Sequence, residues 1–283
     1  MSHDCSALYN HTNIRNGNRI YPCCRFKKQL LTFDGDVENI LNTKEYIELR
    51  ERFKHEKISE CSKCWDQEEK GIKSTRQYFN EQYNCDEVKL KNLWVGFDNI
   101  CNLKCEPCSA EFSNQFTGEV IKTKSLENIP ELEKVVFLGG EPLMNKRYYK
   151  FLKKLNRQNL DVTIITNGMF NPNEDWKKLF RECKHIKFFV SIDGYGELNE
   201  KVRQGSNWKT VNNTVTELEK EFKVVINTVV HSQNIQGIYR LRDWVKNRSW
   251  QINILTYPSH LRINDNDEKK LTQEFQQYFD YPI

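Results

Sequence analysis

Cys101-Asn102-Leu103-Lys104-Cys105-Glu106-Pro107-Cys108 sets three thiols in the pattern CxxxCxxC directly after a predicted strand. Closing a four-iron cluster takes four thiolates, so three leave one iron with an open coordination position. An open position separates reactive metal sites from closed structural ones, and the spacing therefore points to chemistry. A zinc site that borrows a fourth ligand is the competing reading of the same loop.

The 283 residues can bury a large domain, alone or with a small one beside it. Lys and Arg number 43 against 39 Asp and Glu, a formal charge of +4, and this balance argues against a nucleic-acid surface. No apolar run approaches the roughly 18 residues of a membrane span. The start, MSHDCSALYN, lacks the basic and apolar regions of a signal peptide, so a cytoplasmic protein is expected. Ten cysteines in a reducing compartment argue for metal or cluster ligation over disulfides.

From Lys91 onward the pattern alternates strand and helix. The apolar, β-branched runs predict strands at residues 93–97, 135–138, 162–165, 186–192, 223–229 and 252–256. Helices are expected to begin near Ala110, Lys146, Asn173, Trp208 and Gln236, each long enough for a right-handed crossover. The class is α/β, and an open six-stranded β/α barrel over residues 91–257 is the architecture this order predicts. A helical tail, residues 258–283, follows.

Working residues of such barrels sit at the carboxyl ends of the strands. Here those ends read Asp98-Asn99, Gly139-Gly140-Glu141-Pro142, Thr166-Asn167-Gly168 and Ser191-Ile192-Asp193-Gly194, with Asn227 on strand five. The paired glycines let a backbone approach a ligand closely, and Glu141 can accept a hydrogen bond from a bound ammonium. Asn167 and Ser191 offer neutral donors and acceptors suited to a ribose or a carboxylate. Taken singly, such tips are turns, and Arg203 is a solvated charge; their order at successive strand ends gives them weight.

This order resembles the radical S-adenosylmethionine (SAM) superfamily across residues 91–257. The resemblance implies a partial (β/α)6 barrel. It implies that Cys101, Cys105 and Cys108 ligate a 4Fe-4S cluster whose open iron chelates SAM. Gly139, Gly140, Glu141 and Pro142, as the GGEP motif, would hold the SAM amino group, with Asn167, Ser191 and Asn227 as further contacts. Arg203 would bind the SAM carboxylate, for which a guanidinium is suited because it binds bidentately. One departure is Pro107, where the family usually carries an aromatic residue.

Residues 1–90 read as a small cysteine-rich α+β module. Asn16-Gly17-Asn18 between Leu8-Tyr9 and Ile20-Tyr21 predicts a hairpin that brings Cys5 and Cys23 to the same open end. Thr43 is placed to cap a helix over residues 44–54, and a second helix should run from Cys64 to about Asn84. The set Cys5, Cys23 or Cys24, Cys61 and Cys64 resembles an auxiliary iron–sulfur module of the SPASM/twitch type, although that module usually follows the barrel. Cys23 is preferred over Cys24 because it follows Pro22, as in the resembling hairpins, and because successive strand residues face opposite sides. A structural zinc is the alternative. If the module completes the active site, it must close over the carboxyl-end face of the barrel.

The resemblance implies an enzyme that cleaves SAM reductively and abstracts hydrogen from a substrate, a peptide or protein by likeness to SPASM and twitch enzymes. It implies two 4Fe-4S clusters, SAM, and an external electron donor such as flavodoxin or ferredoxin. Dehydrogenation of a small alcohol or sugar is the alternative within the class; a zinc-stabilised binding module without turnover is the alternative outside it. No catalytic residue beyond these contacts stands out. Cys85, Cys183, His185, His231 and His260 have no partner at a ligand spacing.

Overall fold

The computed structural model describes residues 4–279. In chain order the strands are β1 His11–Arg15, β2 Arg19–Tyr21, β3 Leu31–Thr32, β4 Asn92–Gly96, β5 Lys104–Cys105 and β6 Lys134–Leu138. They continue as β7 Asp161–Thr166, β8 His185–Ser191, β9 Arg203–Gln204, β10 Lys223–Val230 and β11 Ser249–Ile254. The helices are α1 Ala7–Asn10, α2 Lys44–His55, α3 Ser62–Glu69, α4 Thr75–Gln82 and α5 Lys146–Lys154. They are followed by α6 Glu174–Arg181, α7 Glu197–Val202, α8 Trp208–Glu219, α9 Ile238–Val245 and α10 Asp265–Glu274.

Six strands in the order β4-β6-β7-β8-β10-β11 run parallel, as the alternating pattern predicts. Alternate residues divide between two faces. Leu93, Val95, Phe137, Ile164, Phe188, Ile226 and Ile252 pack outward with Phe151, Leu179, Phe180, Val215 and Leu241 of the crossover helices. The inner face carries polar residues among apolar ones: Trp94, Thr163, Asn227, Gln251 and Asn253. The last strand starts three residues before the predicted 252, because Gln251 interrupts the apolar run while Trp250 still packs outward.

The helix expected near Ala110 is absent; among the described residues the helical structure between β4 and β6 is limited to a 3-10 turn, Asn114–Phe116. Side chains take the backbone partners that a helix would have used. Asn99 Nδ2 donates to the carbonyls of Ala110 (2.8 Å) and Glu119 (3.1 Å), its Oδ1 accepts from Ile121 N (2.9 Å), and Ser113 Oγ donates to Leu103 O (2.6 Å). Such local side-chain bonds compete directly with helix formation.

Residues 1–90 do not stand apart from the barrel. Strand β1 pairs parallel with β4, His11 opposite Asn92 and Ile14 opposite Val95, and β2 and β3 extend the same sheet antiparallel. Gly17 and Asn18 take positive φ (78° and 65°) in the predicted hairpin turn. Thr43 precedes α2 as expected, but its hydroxyl donates to Ile40 O and makes no cap. The single helix expected over residues 64–84 is two. Gly71, at φ 70°, ends the first turn region, and a reciprocal capping box between Ser74 and Gln77 starts α4.

The register fixes where the module's thiols lie. Cys5 precedes α1, which leads into His11 at the amino-end level of the barrel, and Cys23 follows β2 at the same level. The hairpin turn reaches the carboxyl end, where Asn16 Nδ2 donates to Glu111 O (2.8 Å) and Arg19 pairs with Glu111 (2.6 Å). The thiols therefore do not close over the carboxyl-end face. The five residues of β4 set the two levels about 16 Å apart.

His11 joins the two parts. Its ring is wholly buried, 4.9 Å from Phe79 of α4 and 5.7 Å from Trp94 of β4, and Nδ1 lies 2.9 Å from Asn92 O. That carbonyl can only accept, so Nδ1 carries the proton. Burial holds the imidazole down at about 3, while the unfolded chain takes up the proton near 6.5. Stability should thus fall as pH drops from about 6.5, by at most about 1.4 kcal/mol per unit for this one group. Urea unfolding of the cluster-loaded chain between pH 7 and 5 should be less pH-dependent in His11→Asn, which keeps the donor; parallel profiles would remove His11 from this role.

Candidate SAM and cluster site

The cysteine loop leaves the end of β4 and is fixed at once by its neighbours. Gly140 N donates to Asp98 O (3.0 Å) and Glu141 N to Ile100 O (2.8 Å), so β6 continues its pairing along the loop. A Cβ on Gly140 would stand 2.1 Å from Ile100 O, and one on Gly139, at φ 123°, 2.8 Å from Asp98 O. The close approach expected of the two glycines is thus made to the cysteine loop itself. Pro142 opens a 3-10 turn, Pro142–Met144, behind them.

Glu141 is 1% exposed. Its carboxylate accepts from Asn167 N (2.7 Å), Thr166 Oγ1 (2.8 Å) and Leu143 N (3.1 Å). Burial still pushes it up to about 6. Asn167 carries the link onward: its Nδ2 donates to Asn102 Oδ1 (2.8 Å) and reaches Cys101 Sγ (3.8 Å). These two side chains, expected to meet a ligand, spend most of their hydrogen-bonding capacity in holding three strand ends together. Ser191, the last residue of β8, lies opposite Asn227 within β10, and Asn227 Oδ1 accepts from Asn253 Nδ2 (2.9 Å).

Arg203 reaches the loop through backbone pairing, since β9 is antiparallel to β5 with Arg203 opposite Cys105. It is not a surface charge. Arg203 Nη1 bonds Asp193 Oδ2 at 2.7 Å, Asp193 Oδ1 accepts from Val229 N (2.8 Å), and Arg203 Nε is buried without a hydrogen-bond partner. Asp193 has no task in the sequence reading of its strand tip. It lies ten residues before Arg203 in the SIDG tip, with α7 between them, and only the fold shows the two side chains meeting.

Do these residues fit a cluster? Burial pushes all three thiols up, Cys108 to about 12, while the Arg203 charge pulls each of them down. Leu103 N and Asn167 Nδ2 point hydrogen atoms at Cys101 Sγ (3.4 and 3.8 Å). Donors and a fixed positive charge around sulfurs that protons leave reluctantly suit thiolates ligating a metal, which deprotonates a coordinating thiol outright. The unpartnered Arg203 Nε fits a carboxylate of a ligand on the same centre.

The second set gathers in the module's own core. Cys5, Cys23, Cys61 and Cys64 are all buried, the first three with Leu8, Phe26, Leu49, Phe53, Ile58, Trp65 and Phe79, whereas Cys24 is half-buried. Burial pushes all four up, and each feels the charge of at least one other cysteine. Among the described residues no three His, Cys, Asp or Glu side chains close around one point as the ligands of a single ion do. A four-iron cluster distributes its thiolates over separate irons.

Comparison with known proteins identifies both parts. Residues 97–245 match the radical SAM superfamily and residues 5–65 match an iron–sulfur cluster-binding domain, SPASM, which replaces the zinc alternative. A cysteine-type anaerobic sulfatase-maturating enzyme of Clostridium novyi is 31% identical over 169 residues, covering 50% of this chain and 44% of that protein. A GTP 3',8-cyclase of Helicobacter pylori is 29% identical over 183 residues, covering 58% and 54%. The chain thus spans about half the length of these relatives. The structure of native anSMEcpe with bound AdoMet superposes with a TM-score of 0.51 at 19% identity, over 66% of this chain and 59% of that one, and shares the fold. The superfamily match covers more than half of the chain, and the protein belongs to the radical SAM superfamily, with an iron–sulfur cluster-binding SPASM domain preceding its barrel.

Proposed function

We propose that this protein cleaves SAM reductively and removes a hydrogen atom from a peptide or protein substrate, with an auxiliary cluster in the amino-terminal module. The observation that carries the reading is the frame around the cysteine loop: Glu141, Asn167 and Asn102 tie three strand ends to it, and Arg203 faces its thiols. When bound, the cluster supplies an electron and SAM supplies the 5′-deoxyadenosyl radical that takes the hydrogen. The protein's part is to bind and orient. Cys101, Cys105 and Cys108 hold the cluster, and Arg203 Nε is placed to meet the SAM carboxylate while Asp193 fixes Nη1. Backbone of Gly139 to Pro142, with Asn167, Ser191 and Asn227, offers the remaining polar contacts.

Cys5, Cys23, Cys61 and Cys64 are the auxiliary ligands in this reading; their shared burial and the greater exposure of Cys24 support the choice. The relative named for maturing a sulfatase supports a protein substrate. The relatives named for cyclising GTP favour a second reading, a small-molecule substrate. Among the described residues no helix is long and apolar enough to cross a membrane. A cytoplasmic setting, where a flavodoxin or ferredoxin can deliver the electron, accords with this chemistry.

Changing Cys101, Cys105 and Cys108 together to Ala should abolish deoxyadenosine formation under dithionite while about four irons remain, by the stoichiometry of one further cluster. Persistent SAM cleavage sinks the assignment. In that background Cys23→Ala should release the remaining iron and Cys24→Ala should retain it; the reverse pattern exchanges the two. Arg203→Ala removes a charge-assisted contact of about 1.5 to 3 kcal/mol, lowering SAM affinity roughly 10- to 100-fold. Equilibrium binding of SAM to the loaded variant checks this, and an unchanged dissociation constant frees Arg203 from the site. Incubating wild-type enzyme with peptide and nucleotide pools, and following substrate-dependent deoxyadenosine, separates the two substrate readings.

A further inference from the structure

Inside the barrel, between β4 and β11 on one side and α3, α4 and the Cys24-Arg25 turn on the other, lies a cavity of about 100 Å³. It is small, about three water molecules' share of liquid volume. Its position is informative. Its lining includes Cys24, next in sequence to the auxiliary thiol Cys23, and Asn253, whose side chain bonds Asn227 of β10. With Asn92 and Lys134, the first residues of β4 and β6, also in the lining, the cavity reaches from the barrel interior to the module at the amino-end level.

Its walls are polar and incompletely satisfied. Trp94 Nε1 on β4 and Gln251 Oε1 on β11 are buried without a hydrogen-bond partner, although their residues are only 7% and 5% exposed. Gln67 Oε1 on α3, on the module side, and Asn92 Oδ1 on β4 are two more such atoms. All four residues line this one cavity, as do Arg25, Lys73 and Lys134. Buried polar atoms are rarely left unpaired, so four lining one space call for an occupant. An indole N–H can only donate. A glutamine amide, whichever way it is turned, presents a donor and an acceptor side by side.

We propose that this cavity binds an amide group of the substrate, its carbonyl oxygen accepting from Trp94 Nε1 and its N–H donating to Gln251 or Gln67. The inference rests on the peptide-substrate reading above and names the chemical group that enters. The volume admits one small side chain or one peptide unit, and neither an intact nucleotide nor a whole sugar ring system. The two flanking glutamines come from the barrel and from the module, so the module supplies one wall of the pocket although its thiols lie at the barrel's amino-end level. An apolar isostere would leave the same atoms unpaired and is rejected on that ground.

The test uses the full-length, cluster-loaded chain labelled with 5-fluorotryptophan, with the Trp94 fluorine resonance assigned by its loss in Trp94→Phe. N-methylacetamide and N-acetylglycine amide are titrated against guanosine and glucose. A saturable shift of the Trp94 resonance with the acylated amides, weakened at least tenfold in Gln251→Leu or, should that variant not fold, in Gln67→Leu, is the expected result. A saturable response to guanosine or glucose instead assigns the cavity to another substrate class and overturns the proposal. No saturable response to any probe leaves a water-filled cavity and overturns it equally. Failure of the SAM reading shows separately, as absence of deoxyadenosine from wild-type enzyme given dithionite and SAM.

Discussion

The contact on which the site depends is the one that leaves no room: Gly140 lies so close to Ile100 O that not even a methyl group fits between them. Because β6 can press against the cysteine loop there, Glu141 N reaches Ile100 O and the Glu141 carboxylate is carried beneath the loop to Asn167. Asn167 then returns to Asn102 and Cys101. Three strand ends and the cysteine loop form a closed ring of bonds. Ligand geometry in metal sites is set by such outer partners as much as by the ligands.

A second ring supplies charge. Pairing of β5 with β9 sets Arg203 across from Cys105, and Asp193 together with Val229 N anchors the other end. A buried ion pair contributes little net stability, because desolvating two charges offsets their attraction. What it secures is position. A guanidinium held in a dry site beside sulfurs acts on them more strongly than a mobile one in water could.

Much of this was legible in the sequence because it is local. Apolar, β-branched runs predicted all six barrel strands, and the polar tips after them predicted the cysteine loop, Glu141 and Asn167 at one end of the barrel, with Arg203 added by the family resemblance. What those side chains touch was not legible. That Glu141 serves the loop, that Asp193 holds Arg203, and that Asn99 unwinds an expected helix each depend on residues brought together by the sheet. The same holds for β1: its short run His11–Arg15 reads as half of a hairpin, and nothing within it announces a partner at residues 92–95.

That partner lies 81 positions away, His11 against Asn92. Synthesis delivers the module's thiols, hairpin and helices well before β4, at a pace of about 5 to 20 residues per second. Until then β1 has an open edge and His11 lacks the Asn92 carbonyl. The amino-terminal segment therefore cannot complete its sheet on its own, and its last strand contact is made only when the first barrel strand arrives.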